Sequence, residues 1–285
     1  MNEIWSWTFP LFRFRGVPIR CHWSLPLMGI FDVMLLLRSG LPFYLAPLLI
    51  ALLFASVLLH EGGHMLATIR SGGRCHRIVL WALGGWAETD IPMRPWPHLL
   101  VAVMGPVVNV GIWALATLAL DQFPGMDRTI LLPCLTYLAY INAVLALFNA
   151  IPCHPLDGGH ATTALLWGMV GIRRALRWTI PIGYVAAAGL AIWAFVGMQI
   201  FLVIFAVWLG LTTYQGHLAL KHGFDRVFGI DQAYAHSQTT WFTRWSRRRA
   251  EARAQQRAQA EASEAALLDE LLDKVSKEGL PSLTP

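Results

Sequence analysis

Apolar and polar positions divide this chain into long apolar tracts joined by short basic segments. Six tracts, at residues 21–37, 41–59, 98–120, 130–151, 178–193 and 200–217, are candidate membrane spans. A helix needs about 20 apolar residues to cross a bilayer, and several of these tracts sit near that length. Only the turn signal Gly197-Met198-Gln199 divides the last two, but their combined tract is too long for one crossing. The pattern predicts an all-α polytopic membrane protein with about six transmembrane helices. Between the second and third tracts, residues 72–97 are too polar to cross. Within them, residues 77–90 carry short apolar runs around Gly84-Gly85, which predicts a small membrane-associated β-hairpin or re-entrant loop between helices 2 and 3. Irregular backbone at membrane depth is tolerated only against protein or water.

The ends are different in character. Residues 1–20 read as a basic cytoplasmic leader with aromatic anchors Trp5, Trp7, Phe9 and Phe12, residues 21–218 as the membrane core, and residues 219–285 as a basic cytoplasmic tail. No cleavable signal peptide is expected, because Glu3, Arg13 and Arg15 come with no short apolar core and small-residue cleavage site. In the tail, Trp241, Phe242 and Trp245 alternate with Arg244, Arg247, Arg248 and Arg249, a mixture suited to the membrane interface. A solvated basic linker is the plainer reading of that stretch. Further on, Leu267, Leu268, Leu271, Leu272 and Val275 recur at helical spacing among charges and predict a short amphipathic helix.

Composition agrees with the membrane reading. The chain is 56% hydrophobic and 14% charged, against roughly 45–50% and about 25% in soluble domains. Basic residues then orient it. Arg13, Arg15 and Arg20 precede the first span; Arg70, Arg74, Arg77 and Arg94 lie between the second and third; Arg173, Arg174 and Arg177 lie between the fourth and fifth. The other side carries only Arg38 and Arg128. Both termini, and the loops after spans two and four, are therefore expected on the cytoplasmic side. The net charge of +5 reads as topology and attraction to anionic lipid. With no recognised binding motif beside it, no nucleic-acid partner is expected. The four cysteines, Cys21, Cys75, Cys134 and Cys153, form no CxxC pair, and three fall on the side where thiols stay reduced, so no disulfide is expected. Cys75-His76 and Cys153-His154 are weak metal candidates without a matching pair.

The strongest chemical signal is Leu59-His60-Glu61-Gly62-Gly63-His64. Residues four apart share a helix face, so His60 and His64 can both reach one Zn²⁺, and Glu61 beside them can take a proton from a zinc-bound water. A chance match in a chain this long is on the order of 1 in 100. Satisfied core histidines are the competing reading, but ionisable groups in a span are costly and usually functional. Gly62 and Gly63 each cost about 1 kcal/mol inside a helix. Either they admit another backbone at close range or they mark a frayed helix end. A catalytic zinc needs three protein ligands and an open position. The third is sought in Asn149-Ala150-Ile151-Pro152-Cys153-His154-Pro155-Leu156-Asp157-Gly158-Gly159-His160, where Asp157 is the best candidate. Alone, Asp157 also reads as a turn residue before Gly-Gly; its expected placement on the same membrane side as His64 favours the metal.

The HExxH run in one span and the N-x-x-P-x-x-P-L-D-G-G run after a later one resemble the site-2 protease family of intramembrane zinc metalloproteases. Gly105-Pro106-Val107-Val108-Asn109 resembles the family's G-P-x-x-N segment, and Gly84-Gly85 its double glycine in the membrane-associated hairpin. The resemblance covers residues 16–217. It implies one Zn²⁺ per chain held by His60, His64 and Asp157, Glu61 as catalytic base, and Asn149 holding substrate or stabilising developing negative charge. The plainer reading of Asn149, and the favoured one for Asn109 and Asn142, is a helix-to-helix hydrogen bond. With no PDZ-like insert or CBS-type domain evident, the chain resembles the compact six-span bacterial branch. That branch implies a multi-pass protein of the bacterial cell membrane whose substrates are membrane-embedded or membrane-tethered proteins. Its cleavage releases a regulatory or transcription factor to the cytoplasm, with a membrane regulatory partner as a further expectation. His154 replaces a more usual apolar residue and either competes for metal, gates access, or is a loop histidine. Two other functions fit parts of the pattern, a metal-ion transporter and a catalytically inactive membrane scaffold.

Overall fold

The computed structural model describes residues 7–221 apart from 39 and 83. Trp5 and the two tail features lie outside the described residues. In chain order the elements are β1 (Thr8–Phe14), β2 (Val17–His22), α1 (Ser24–Arg38), α2 (Leu45–Arg70), β3 (Arg74–Trp81), β4 (Gly84–Asp90), α3 (Pro95–Gln122), α4 (Leu131–Asn149), α5 (Asp157–Val170), α6 (Ile172–Val196) and α7 (Ile200–Lys221).

Four helices, α2, α3, α4 and α6, are long and apolar enough to cross a membrane. Helix α1 has 15 residues, and the apolar stretch of α7 runs from Leu202 to Leu218. Leu115, Val185 and Phe195 stand 70%, 74% and 76% exposed on these helices. Apolar surface on that scale is not left to water and defines faces that meet lipid. Helix α2 continues to Arg70, well past the end of its apolar tract at Leu59, because the polar run His60–His64 interrupts hydropathy without interrupting the helix. The break between α6 and α7 falls at residues 197–199, with Met198 at φ 55°.

Two elements depart from an all-α chain with one hairpin. Residues 8–22, within and just beyond the basic N-terminal segment, carry strand structure. They form an antiparallel pair, turned by Arg15 at φ 50° and Gly16 at φ 85°, a two-residue positive-φ turn that suits a hairpin. Strand β2 then runs parallel to β3, with Ile19 opposite Ile78 and Cys21 opposite Leu80, while β3 and β4 pair antiparallel. The sheet therefore has four strands in the order β1-β2-β3-β4. Cys21, placed by hydropathy in the first span, ends β2 instead. The second departure is α5, a helix between the fourth and fifth tracts that hydropathy does not separate.

The sheet is tied to α2 by one cluster, in which Val17, Ile19, Ile78 and Leu80 pack with Val57 and Met65. This packing holds β4 against the helix that carries the HExxH run. Cys75, on β3, is partly buried and precedes His76, which pairs with Asp90 at 2.7 Å on the exposed side of the hairpin. Burial, with Glu61 and Glu88 adding negative charge nearby, pushes the Cys75 thiol from 9.0 up to about 11. Only the thiolate reacts with alkylating agents, so a raised value means less thiolate at any given pH. At pH 8, iodoacetamide labelling of Cys75 is expected to run about 100-fold slower than that of an ordinary thiol. Time-resolved peptide mass spectrometry would check this; labelling at the free-thiol rate would contradict it.

Candidate metal centre

Helix α2 places His60, Glu61 and His64 within one turn, and all three are buried. After α4 the chain passes through the Pro152–Pro155 segment, and α5 begins on Asp157. A carboxylate in the first turn of a helix is favoured by the helix dipole. The start of α5 sets Asp157 against the two histidines. His60 Nε2 lies 3.1 Å from one Asp157 oxygen, His64 Nε2 lies 3.3 Å from the other, and the two Nε2 atoms are 3.1 Å apart.

The proton positions decide what this cluster can do. His64 Nδ1 donates to the Val101 carbonyl at 2.7 Å, an oxygen that can only accept. His60 Nδ1 donates to Asn109 Oδ1. When the rings are neutral, both Nε2 atoms therefore present lone pairs to each other and to a carboxylate. Asp157 Oδ2 is buried with no hydrogen-bond donor. Three acceptors converging without a proton between them repel unless a cation joins them. His60, His64 and Asp157 form the group able to hold a metal ion among the described residues, with ligand atoms within 4.8 Å of one another. Two imidazoles and one carboxylate, leaving a position open, are a donor set that fits catalytic zinc.

The neighbouring backbone is shaped to this cluster. A Cβ on Gly105 of α3 would stand 2.3 Å from His64 Nε2 and 2.8 Å from His60 Cε1. A Cβ on Gly85 of β4 would collide with the Glu61 side chain. The Ala87 amide of β4 is hydrogen-bonded to the Glu61 carboxylate. Gly63 meets the α3 backbone, its Cβ position 2.7 Å from the Met104 carbonyl, whereas Gly62 faces open space. The glycine pair sits inside a continuous helix and does not mark a frayed end.

A cleft of about 340 Å³ opens beside the cluster, lined by Glu61, His64, Gly85, Asp157, His98 and His160 among others. Asn149 ends α4 and is not one of its lining residues. His154 does not join the metal group. The Thr163 hydroxyl donates to the Gly159 carbonyl at 2.8 Å, so His154 Nε2 donates to Thr163 at 2.8 Å and offers no lone pair there. Burial, and then His160, hold His154 down at about 3 and keep it neutral. Cys153 Sγ lies 3.4 Å from Thr213 Oγ1. His98 and His160 enter the site from the fold alone; His98 Nε2 is buried without a hydrogen-bond partner and its ring lies edge-on to Trp167. Nothing local in the sequence distinguishes these two histidines.

The fold and site define a polytopic membrane protein with a two-histidine, one-carboxylate group able to hold a metal ion. A model of peptidase family M50 matches residues 125–193, the segment that contains Asp157. The zinc metalloprotease MJ0392 of Methanocaldococcus jannaschii is 30% identical over 205 residues, covering 72% of this chain and 59% of that protein. The solved site-2 protease from Methanocaldococcus jannaschii superposes with a TM-score of 0.54 at 25% identity, covering 73% of this chain and 94% of that one. The chain spans 35%, 59% and 43% of the length of three curated relatives it matches. In sequence and in fold the chain is similar to members of the site-2 protease family.

Proposed function

We propose that this chain is an intramembrane zinc metalloprotease that hydrolyses peptide bonds of membrane-embedded or membrane-tethered proteins. The observation that carries the reading is the convergence of His60, His64 and Asp157 beside Glu61 at the edge of a cleft that Glu61, His64 and Asp157 line. Zinc held by those three residues supplies Lewis acidity toward a carbonyl and makes water a nucleophile near neutral pH. Glu61 takes the proton of the attacking water and delivers it to the leaving nitrogen. Its carboxylate is aimed by Gly85, which leaves room for it, and by the Ala87 amide. A helical substrate hides its carbonyls in hydrogen bonds and must unwind locally; strand addition along β4 would keep it extended. The proposed role of Asn149, steadying substrate or developing negative charge, rests on its motif position.

Six spans, with α1 and α7 completing the four longer helices, and termini and metal centre toward the cytoplasm of a bacterial cell membrane complete the proposal. Arginine bias supports that orientation. The proposed organisation is a basic N-terminal segment built into the sheet, a metalloprotease core and a basic C-terminal tail. Release of a regulatory or transcription factor toward the cytoplasm and control by a membrane partner follow from the family resemblance. A metal-ion transporter has no need for a carboxylate seated beside the ligands as Glu61 is, and a catalytically inactive scaffold has no need for the full set of three ligands and a base.

The purified chain, reconstituted with single-span candidate substrates, is expected to cut at least one of them. A zinc chelator should stop the reaction and added zinc should restore it. Cleavage that persists in chelator after the bound metal has been removed would sink the proposal.

A further inference from the structure

We infer that Ser56, Asn142 and Asn109 form a directed hydrogen-bond relay that fixes the ring and tautomer of His60 for metal binding. The three residues come from α2, α4 and α3 respectively. The inference rests on the proposed metal site but concerns residues that touch neither metal nor substrate.

The direction follows from the two carbonyls at the far end. Ser56 Oγ donates to the Leu52 carbonyl at 2.8 Å, leaving its lone pairs as acceptors. Asn142 Nδ2 spends one N–H on Ser56 Oγ at 2.9 Å and the other on the Leu138 carbonyl at 2.9 Å. Rotating that amide would set its oxygen against the Leu138 oxygen, so Asn142 Oδ1 must point at α3. There it accepts from Asn109 Nδ2 at 2.8 Å. Asn109 Oδ1 is thereby turned to His60 and accepts from Nδ1. The His60 proton is held on Nδ1, and Nε2 keeps its lone pair for the metal group.

Both asparagines are fully buried and Ser56 is 1% exposed. An unpaired amide there would cost about 1–3 kcal/mol, so the pattern resists rearrangement. The two histidines are held by different means. His64 is fixed by a main-chain carbonyl, which no side-chain substitution removes. His60 depends on side chains, and its orientation is therefore open to mutation at positions that never touch the metal. Partners behind a ligating histidine typically contribute about 10–100-fold to metal affinity.

The test is zinc affinity of the full-length chain in detergent, measured by chelator competition, with thermal unfolding of the metal-free protein recorded in parallel. Asn142→Leu is expected to weaken zinc binding about 10–100-fold, and Asn109→Leu at least as much. Ser56→Ala, the mildest variant, should give a smaller loss in the same direction. Because the effect of Asn142 passes through Asn109, the double variant should bind zinc no more weakly than Asn109→Leu alone. Unchanged zinc affinity in folded variants would overturn the relay, as would losses that multiply in the double variant. Reduced unfolding temperature without a change in zinc affinity would show plain packing and also overturn it. A wild-type chain that binds no zinc would instead overturn the metal reading beneath it.

Discussion

Glu61→Gln is expected to lower cleavage about 100- to 10,000-fold while one zinc per chain is retained. A positioned general base contributes roughly 10²–10⁴ in rate. The change keeps the side chain's size, and the amide oxygen can still accept the Ala87 N–H, so the close fit against Gly85 is preserved. The new side chain has no basic oxygen to take a proton from water. None of the ligand contacts among His60, His64 and Asp157 involves residue 61. Turnover of a reconstituted substrate and metal content by plasma mass spectrometry separate the two properties. A zinc-loaded Glu61→Gln variant that cleaves at the wild-type rate would remove Glu61 from the mechanism, and a variant that loses zinc would make its role one of binding.

The site is more legible in the sequence than the fold around it. His60 and His64 are four apart, so helix geometry alone places them together. Asp157 is far away in sequence, but the prolines before it break the helix, the glycines after it permit a tight backbone path, and charge bias leads one to expect it on the same side. Hydropathy finds the long helices because lipid-facing residues such as Leu115 and Val185 carry strong apolar signals. It loses the last turns of α2, where His60, Glu61 and His64 are polar. It also loses β1 and β2. Strand β2 shows alternation only at Val17, Ile19 and Cys21, too short to stand against the apolar tract that follows. Its pairing with β3 is parallel and crosses two intervening helices, a non-local contact that no local pattern encodes. Helix α5 mixes Thr162, Thr163 and Trp167 into its length, so no apolar tract marks it. Asn109 is visible in its Gly-Pro segment as a helix contact; that the contact is His60 depends on how α2 and α3 pack. The same packing explains Gly63 and Gly105, whose space is taken by the facing helix.

Gly105→Ala is expected to weaken zinc binding about 10–100-fold without preventing the chain from folding. Alanine is the better helix former by about 1 kcal/mol, so α3 itself loses nothing locally. The added Cβ would stand 2.3 Å from His64 Nε2 and 2.5 Å from its Cε1, with His60 Cε1 at 2.8 Å. Relief to ordinary contact requires the His64 ring to move by about 1 Å. The ring cannot yield freely, because Nδ1 is held at 2.7 Å by the Val101 carbonyl, one turn earlier on the same helix as Gly105. Either that bond breaks or the two α2 histidines shift together away from Asp157. Metal ligands tolerate departures of only about 0.2 Å, so both routes disassemble the metal centre. Chelator competition would measure the affinity, and circular dichroism of the metal-free protein would report whether the helices remain. A folded Gly105→Ala chain with wild-type zinc affinity would mean that α3 and the histidines stand farther apart than this contact allows, and the placement of the metal centre against that glycine would fall with it.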